Sequence, residues 1–196
     1  FFIAENVKGL LSANKGKAFP MIIEEFENAG YKVVHKLLNA EEYGVPQRRQ
    51  RVVIVGFRDE DDYNRFNYPT PINNRRTLGD VIDLSADNDD KWFFSQKADD
   101  GMMAVREKMN KGRVQNLDEP CNTISSHLAK VSLNSTDPVR FVNDRYRRFT
   151  PRECARIQSF PDSFVLDSVS EARQYKAIGN AVPPVMMWYI AKELTR

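Results

Sequence analysis

The sequence predicts an α/β fold in which a hydrophobic sheet is followed by a less regular segment. Two observations support this prediction. The first 57 residues follow the order strand, helix, strand, strand, with nearly continuous apolar runs, as expected for a sheet covered on both faces. From about residue 59 to residue 143 the pattern weakens, and it returns only at Thr150.

Three strands and one helix are predicted in the first part. The strands are short runs rich in aliphatic and aromatic residues, and we place them at residues 1–4, 31–38 and 51–57. The helix covers residues 17–29, because its apolar side chains fall on one face and a glycine stands at the usual stop position. The residues behind this helix prediction are Ile22, Phe26, Ala29 and Gly30.

The remaining chain is predicted to hold an irregular region and two further helices. Residues 59–143 are polar and interrupted by Pro and Asn, so we expect mostly β or loop structure there. Thr150, Pro151 and Glu153 form a capping box for a helix that ends near Phe160. A tight turn is then expected at Gly179-Asn180. It precedes a last helix that starts near Pro183 and presents Met186, Ile190 and Leu194 on one stripe.

Composition excludes several classes of protein. Hydrophobic residues make up 41% and charged residues 29% of the 196, which is typical of a folded globular chain, and no apolar run reaches the roughly 20 residues of a membrane-spanning helix. Cys121 and Cys154 are far apart, so we expect neither a disulfide framework nor a metal site. Because Phe1 lies inside a strand-like run, we expect a piece of a longer protein without a signal peptide.

The net charge of +2 hides an uneven distribution. Arginines concentrate at 48–51 and 140–156, whereas aspartates concentrate between 83 and 100. Arginine clusters of this kind suit phosphate contacts, and a solvated surface is an equally good interpretation of the charges alone.

Three segments could carry chemistry. Glu5-Asn6-Val7 directly follows a predicted strand, where ligands of open α/β sheets bind; an ordinary helix cap is the alternative. Arg49 and Arg51 are two residues apart and would share one side of an extended chain, suited to phosphate and base oxygens, or simply be solvated. The Gly179-Asn180 turn could offer free helix amides to a ligand, or be an unremarkable junction.

Together these segments resemble the DNA cytosine-5 methyltransferase family. Glu5-Asn6-Val7 is similar to its Glu-Asn-Val motif, and Gln47, Arg49 and Arg51 match its Gln-x-Arg-x-Arg motif. Residues 148–162 and 179–184 resemble its last two blocks, and residues 118–124 resemble the Thr-Ile element of its target-recognition region. These blocks occur in the family's order and span nearly the whole chain.

The resemblance implies a fold, a cofactor and a partner. It implies part of a Rossmann-like S-adenosylmethionine-dependent methyltransferase sheet plus a small, irregular, mostly β target-recognition domain. The implied divisions are a catalytic part at 1–75, a target-recognition domain at 76–148, a hinge with the capped helix at 149–178, and a return to the catalytic domain at 179–196. The cofactor would be S-adenosyl-L-methionine and the partner double-stranded DNA, in a bacterial, cytoplasmic, nucleoid-associated restriction-modification or orphan enzyme.

The resemblance also implies residue roles. In this family a cysteine attacks carbon 6 of a flipped cytosine, and carbon 5 then takes the methyl group. The matched catalytic residues are Glu5, which would donate to ring nitrogen 3, Asn6, which would fix the loop, Arg51, which would contact oxygen 2, and Arg49, which would support Arg51 or hold phosphate. The matched cofactor residues are Asn180, Ala181 and Val182, and the matched DNA contacts are Gln47, Thr123, Arg148 and Arg152.

One departure from the family limits the activity expected of this chain. The family's Pro-Cys nucleophile and Gly-rich cofactor loop precede Glu-Asn-Val, so we expect a missing N-terminal half, in the same chain or a separate subunit, as a partner. Neither Cys121 nor Cys154 occupies the nucleophile's place, and the chain alone should not methylate DNA. A related transfer-RNA methyltransferase and a catalytically dead DNA-binding module remain the alternatives.

Overall fold

The computed structural model describes residues 1–104, 113–128 and 137–195. Its first part is a three-stranded antiparallel sheet with the order β1-β3-β2. The strands are β1 (Phe2–Val7), β2 (Lys32–Asn39) and β3 (Gln50–Phe57), and helix α1 (Ala18–Asn28) connects the first two. All three predicted strands and the predicted helix are confirmed, and Gly30 ends the helix with a φ of +86°.

The two faces of the sheet are covered by different helices. Side chains alternate along β3, so Val52 and Ile54 pack with the face of α1, whereas Val53 and Val55 pack against the C-terminal helix α6 (Pro184–Leu194). The predicted apolar stripe of α6 is confirmed, because Met186 and Ile190 are fully buried in that second cluster.

The first strand is less buried than its sequence predicts. Strand β1 is the edge of the described sheet, its residues are half-buried or exposed, and Phe1 is 68% exposed. Both faces of β1 nevertheless contact a hydrophobic cluster, Ile3 the one that includes α6 and Phe2 and Ala4 the one that includes α1. Burial is only partial because one long side of β1 has no neighbouring strand among the described residues.

The described part of residues 59–143 is irregular, but it is not mostly β. It contains helices α2 (Glu60–Arg65) and α3 (Gln96–Ala104), several single 3-10 turns, and strand β4 (Arg140–Val142), which pairs with β5 (Arg145–Arg147). Aspartate side chains cap the starts of these short elements, at Asp59 for α2 and at Asp83 and Asp89 for two of the 3-10 turns. Because each element is so short, the sequence shows no long periodic pattern there. Residues 105–112 and 129–136 of this region lie outside the described residues.

A second hydrophobic core joins the C-terminal helices to side chains between residues 78 and 128. Helix α4 (Pro151–Ile157) has the predicted capping box, and α5 (Glu171–Asn180) packs beside it. Their buried residues form one cluster with side chains from before and after α3, among them Leu78, Cys121 and Ile124. No helix of the described residues is long and apolar enough to cross a membrane.

The prediction of a tight turn at Gly179-Asn180 is wrong. Both residues belong to the last turn of α5, a helix that the sequence analysis did not predict. Gly179 fits there because the backbone of Ser125 and Ser126 lies against it: a Cβ at position 179 would be 2.3 Å from the Ser125 carbonyl group.

Candidate active site

Glu5 and Arg51 meet at one end of the sheet. Strands β1 and β3 pair Glu5 with Val53 and Val7 with Arg51, so the two functional side chains are diagonal neighbours. The Arg51 Nε lies 2.7 Å from the Glu5 Oε1, and the two side chains are only 12% and 22% exposed. Burial lowers the pKa of Arg51, and the nearby carboxylate of Glu5 opposes that shift.

A cavity of about 480 Å³ opens beside Arg51, and its lining includes Arg51, Val7, Lys8, Arg48 and Thr123 but not Glu5. The Thr123 hydroxyl donates to the Arg48 carbonyl oxygen over 2.7 Å. The structure therefore brings Arg51 and Thr123, which are 72 positions apart in the sequence, to the same cavity.

Asn6 lies near the end of β1 and precedes Val7, which lines the cavity. Its side-chain oxygen accepts a hydrogen bond from the Val7 amide over 2.9 Å. Such a bond restrains the chain where β1 ends.

Arg49 has a different environment from Arg51. Its side chain is 2% exposed and donates to three backbone carbonyl oxygens, those of Ile124 at 3.0 Å, Gly179 at 2.9 Å and Ala181 at 2.9 Å. Burial lowers its pKa to about 10, so the guanidinium stays charged at neutral pH. In this position Arg49 binds backbone carbonyl groups, whereas the sequence predicted that it would support Arg51 or hold phosphate.

Gln47 is also buried rather than exposed to DNA. Its side chain is fully buried, accepts from the Ile124 amide at 2.9 Å, and donates to Gln158 Oε1 at 2.8 Å. Gln158 in turn donates to the carbonyl oxygens of Ile178 and Ala181. The predicted DNA contact by Gln47 is thus replaced in this structure by a packing role.

The predicted cofactor residues lie where α5 ends and α6 has not yet begun. Asn180 is exposed, Ala181 and Val182 are half-buried, and the backbone carbonyl of Ala181 is occupied by Arg49 and Gln158. A second cavity of about 690 Å³ starts two residues further on, at Pro184, and its lining includes Phe160 and Trp188.

The arginine cluster of residues 140–156 is paired within the molecule. Arg147 is fully buried, contacts Asp87 through Nε at 2.7 Å, and forms two bonds of 2.9 Å with Glu153. The remaining ion pairs of the cluster join Arg140 to Asp87, Arg145 to Asp90 and Asp99, and Arg156 to Asp162. Four of the six arginines of this cluster are therefore paired with carboxylates, and three of these four contact aspartates of the acidic cluster.

Arg148 and Arg152 do not line the Arg51 cavity. Both are half-buried, and Arg152 donates to the Phe164 carbonyl oxygen over 2.9 Å. The structure does not bring these two predicted DNA contacts together with Arg51 and Thr123.

Neither cysteine has the properties of a nucleophile. Cys121 and Cys154 are free and fully buried, and burial raises the pKa of both thiols well above the ordinary value. Because the thiolate is the reactive form, these side chains serve the core.

The family model for C-5 cytosine-specific DNA methylases matches residues 1–196. The chain belongs to this family. Among curated relatives, it is 37% identical to the type II methyltransferase M.FnuDI of Fusobacterium nucleatum, over 99% of the chain and 64% of the relative. It is 35% identical to the type II methyltransferase M.MthTI of Methanothermobacter thermautotrophicus, over all of the chain and 66% of the relative. The chain thus spans just under two thirds of the length of these relatives.

Solved structures agree on the fold of this C-5 cytosine methylase family member. The Entamoeba histolytica methyltransferase EhMeth superposes with a TM-score of 0.73 at 15% identity, over 98% of the chain and 61% of that structure. A Spodoptera frugiperda DNMT2 mutant superposes with a TM-score of 0.74 at 17% identity, over 99% of the chain and 66% of that structure. The α/β fold of a methyltransferase is therefore confirmed.

Sequence reasoning missed several residues that organise this family member. Gln158 and Arg147 are fully buried polar side chains with several partners each. Arg147 stood in the conspicuous arginine cluster, and the Arg147–Glu153 spacing of six could have indicated a contact around a helix start. Gln158 had no comparable signal, because a single amide follows no spacing rule.

Proposed function

We propose that this chain supplies the base-binding and DNA-recognition part of a methyltransferase that acts on carbon 5 of a flipped cytosine in duplex DNA. The observation that carries the proposal is the Glu5–Arg51 pair of 2.7 Å beside a cavity that Thr123 also lines. The family membership and the type II methyltransferase relatives support the same reaction.

In this proposal Glu5 stabilises charge on the base. Attack at carbon 6 moves electron density towards ring nitrogen 3, and a carboxyl group that donates a proton or a hydrogen bond there stabilises the intermediate. The Arg51 Nε fixes the orientation of that carboxyl group. Breaking the base pair and its stacking is necessary because the reacting atoms are shielded inside the duplex.

Arg51 would also hold the base itself. A guanidinium has five N–H donors, and Arg51 uses Nε on Glu5 and Nη1 on the Gln50 carbonyl oxygen. Donors therefore remain for the oxygen 2 of a cytosine in the adjoining cavity. Thr123 at the cavity wall would contact a neighbouring phosphate.

The junction of α5 and α6, together with the second cavity beyond it, fits S-adenosylmethionine, which would supply an electrophilic methyl group. At the junction Asn180 offers an exposed amide and Val182 a half-buried apolar side chain, and Phe160 and Trp188 add aromatic surface in the cavity that begins at Pro184. Amides and aromatic faces suit a ligand with both an amino-acid group and an adenine ring. The nucleophilic cysteine must come from residues other than Cys121 and Cys154.

We also propose the division of the chain at residues 75, 148 and 178. The sheet of the first part has its own clusters, which supports a catalytic part at 1–75. Residues of 76–148 and 149–178 share a core, so the hinge is joined firmly to the recognition domain.

The test is methyl transfer with identification of the product. The chain alone should give no transfer from labelled S-adenosylmethionine to unmethylated duplex DNA, and mixing it with a polypeptide that carries the family's Pro-Cys motif and Gly-rich loop should restore some. The product should be 5-methylcytosine. No transfer in any such mixture, when both components are folded, would count against the proposal.

Methylation of transfer RNA instead of DNA would change the proposed substrate. The same mixture is therefore offered duplex DNA and transfer RNA in parallel. We expect methylation of DNA, in line with the type II relatives at 30–37% identity. Transfer to RNA alone would replace DNA as the substrate while leaving the Glu5 and Arg51 chemistry in place.

A further inference from the structure

We propose that Gln47, Arg49 and Gln158 form a buried clamp that positions two functional segments relative to each other. One is the recognition segment, residues 123–126, and the other is the cofactor-facing segment, residues 179–182, which includes the end of α5. This inference rests on the proposed function, which assigns DNA contact to the first segment and cofactor binding to the second. The three clamp residues are positioning residues, since they touch backbone and each other.

Arg49 is the central member of the clamp because it bonds both segments at once. Nη1 donates to the Ile124 carbonyl oxygen at 3.0 Å, and Nη2 donates to the carbonyl oxygens of Gly179 and Ala181, both at 2.9 Å. The side chain is 2% exposed, so water cannot replace a lost bond. A movement of either segment would leave a charged donor or a buried carbonyl without a partner, which is costly.

The two glutamines extend this connection. Gln47 bonds the Ile124 amide and also the Ile157 carbonyl oxygen at the end of α4. Gln158, which accepts from Gln47, continues to the carbonyl oxygens of Ile178 at 2.8 Å and Ala181 at 3.2 Å. Each segment is thus held by a guanidinium and an amide, and both glutamines are fully buried.

Direct backbone packing makes the two segments a single unit. The Cα of Gly179 lies so close to the recognition segment that an added Cβ would be 2.3 Å from the Ser125 carbonyl group and 2.4 Å from the Ser126 amide nitrogen. This contact is independent of the hydrogen bonds. A rigid connection of this kind couples binding at one segment to binding at the other, and such a coupling is reciprocal.

The proposal predicts that hydrogen exchange in the complete protein changes in both segments together. In Arg49→Met, amide exchange should rise about tenfold or more in residues 123–126 and in residues 179–182. Exchange in β2 and β3 should stay as in the unaltered protein. Arg65→Met is the control, because Arg65 is exposed, pairs with Asp62 within α2 and lines neither of the two cavities, and exchange at 123–126 and 179–182 should not change.

A binding measurement separates positioning from simple loss of structure. The dissociation constant of S-adenosylhomocysteine is measured with and without unmethylated duplex DNA. The unaltered protein and Arg65→Met should show a ratio of about fivefold or more, and Arg49→Met a ratio near one, with partial recovery in Arg49→Lys. If Arg49→Met does not fold, Gln158→Met carries both measurements, since it removes three hydrogen bonds and no charge.

The proposal is overturned if exchange rises in only one segment, or if the affinity ratio is the same in the Arg65 and Arg49 variants. A failure of the proposed function is distinguishable from this result. If the unaltered protein neither binds S-adenosylhomocysteine nor methylates nucleic acid, the function is wrong, while the exchange measurement still decides whether the clamp couples the segments.

Discussion

Arg49 and Arg51 show how neighbouring identical residues acquire different tasks. Sequence spacing predicted that both would face one ligand, but only Arg51 lines the cavity beside Glu5. Arg49 precedes the first residue of β3 and turns inward to three carbonyl oxygens. The Glu5–Arg51 contact could be predicted because each residue lies in a family motif. The buried position of Arg49 could not be predicted, because it depends on backbone carbonyl groups that lie 75 to 132 residues further along the chain.

At Gly179 the close approach of two backbones can be tested by a single methyl group. Gly179→Ala places a Cβ 2.3 Å from the Ser125 backbone, and a backbone atom cannot rotate away. We expect a loss of about 2 kcal/mol in the free energy of unfolding, measured by urea denaturation. Gly9→Ala is the control, since the nearest atom is 4.0 Å away. Equal stability of the two variants would show that the segments do not pack this closely.

Among the elements, α4 is the one that the sequence predicts best. Its capping box is a local sequence feature, so the start of α4 can be predicted without tertiary information from Thr150, Pro151 and Glu153. Helix α5 was missed because Gly179 and Asn180 at its end are typical turn residues, although Tyr175 and Ile178 have helical spacing and are buried. Tertiary packing against Ser125 overrides the low helix propensity of Gly179.

Glu153 connects α4 to strand β5 through Arg147. Both side chains are fully buried and joined by two bonds of 2.9 Å. Glu153→Gln leaves Arg147 as an incompletely compensated buried charge, so we expect a loss of about 3 kcal/mol or more in the free energy of unfolding. In Glu171→Gln, which alters an exposed ion pair with Lys91, the change should stay within about 0.5 kcal/mol. Similar effects in the two variants would contradict the buried pair.

The Asp87 carboxylate makes β4 and β5 sensitive to acid. Burial would raise its pKa, but hydrogen bonds from Arg140 and Arg147 outweigh this and hold the pKa below the usual value. The folded pKa therefore lies below the unfolded value of about 3.9. The stabilisation is complete above about pH 4 and is lost as the pH falls through the lowered pKa.

Asp87→Asn tests this pH dependence. At pH 7 the variant should be less stable than the unaltered protein, and the difference in unfolding free energy should shrink below about pH 4. The exposed Asp61→Asn serves as the control and should follow the unaltered protein. A difference that is independent of pH would show that Asp87 does not carry the charge interaction.

At the scale of the whole molecule, the sheet was predictable and the structure of residues 76–148 was not. The sheet follows from local periodicity, and its three strands lie within 56 residues. The described part of residues 76–148 is held by ion pairs between distant positions, such as Arg140 with Asp87 and Arg147 with Asp87. In the sequence these appear as separate basic and acidic clusters, which is why phosphate binding and solvation seemed equally good interpretations.

We propose that Glu5 acts in catalysis and is not only part of a DNA-binding surface. The most direct test is Glu5→Gln in the complete protein, with methyl transfer to duplex DNA and DNA affinity measured side by side. We expect the rate of methyl transfer to fall about a hundredfold or more, while the affinity for DNA stays within about threefold of that of the unaltered protein. Unchanged methyl transfer in Glu5→Gln would contradict this proposal.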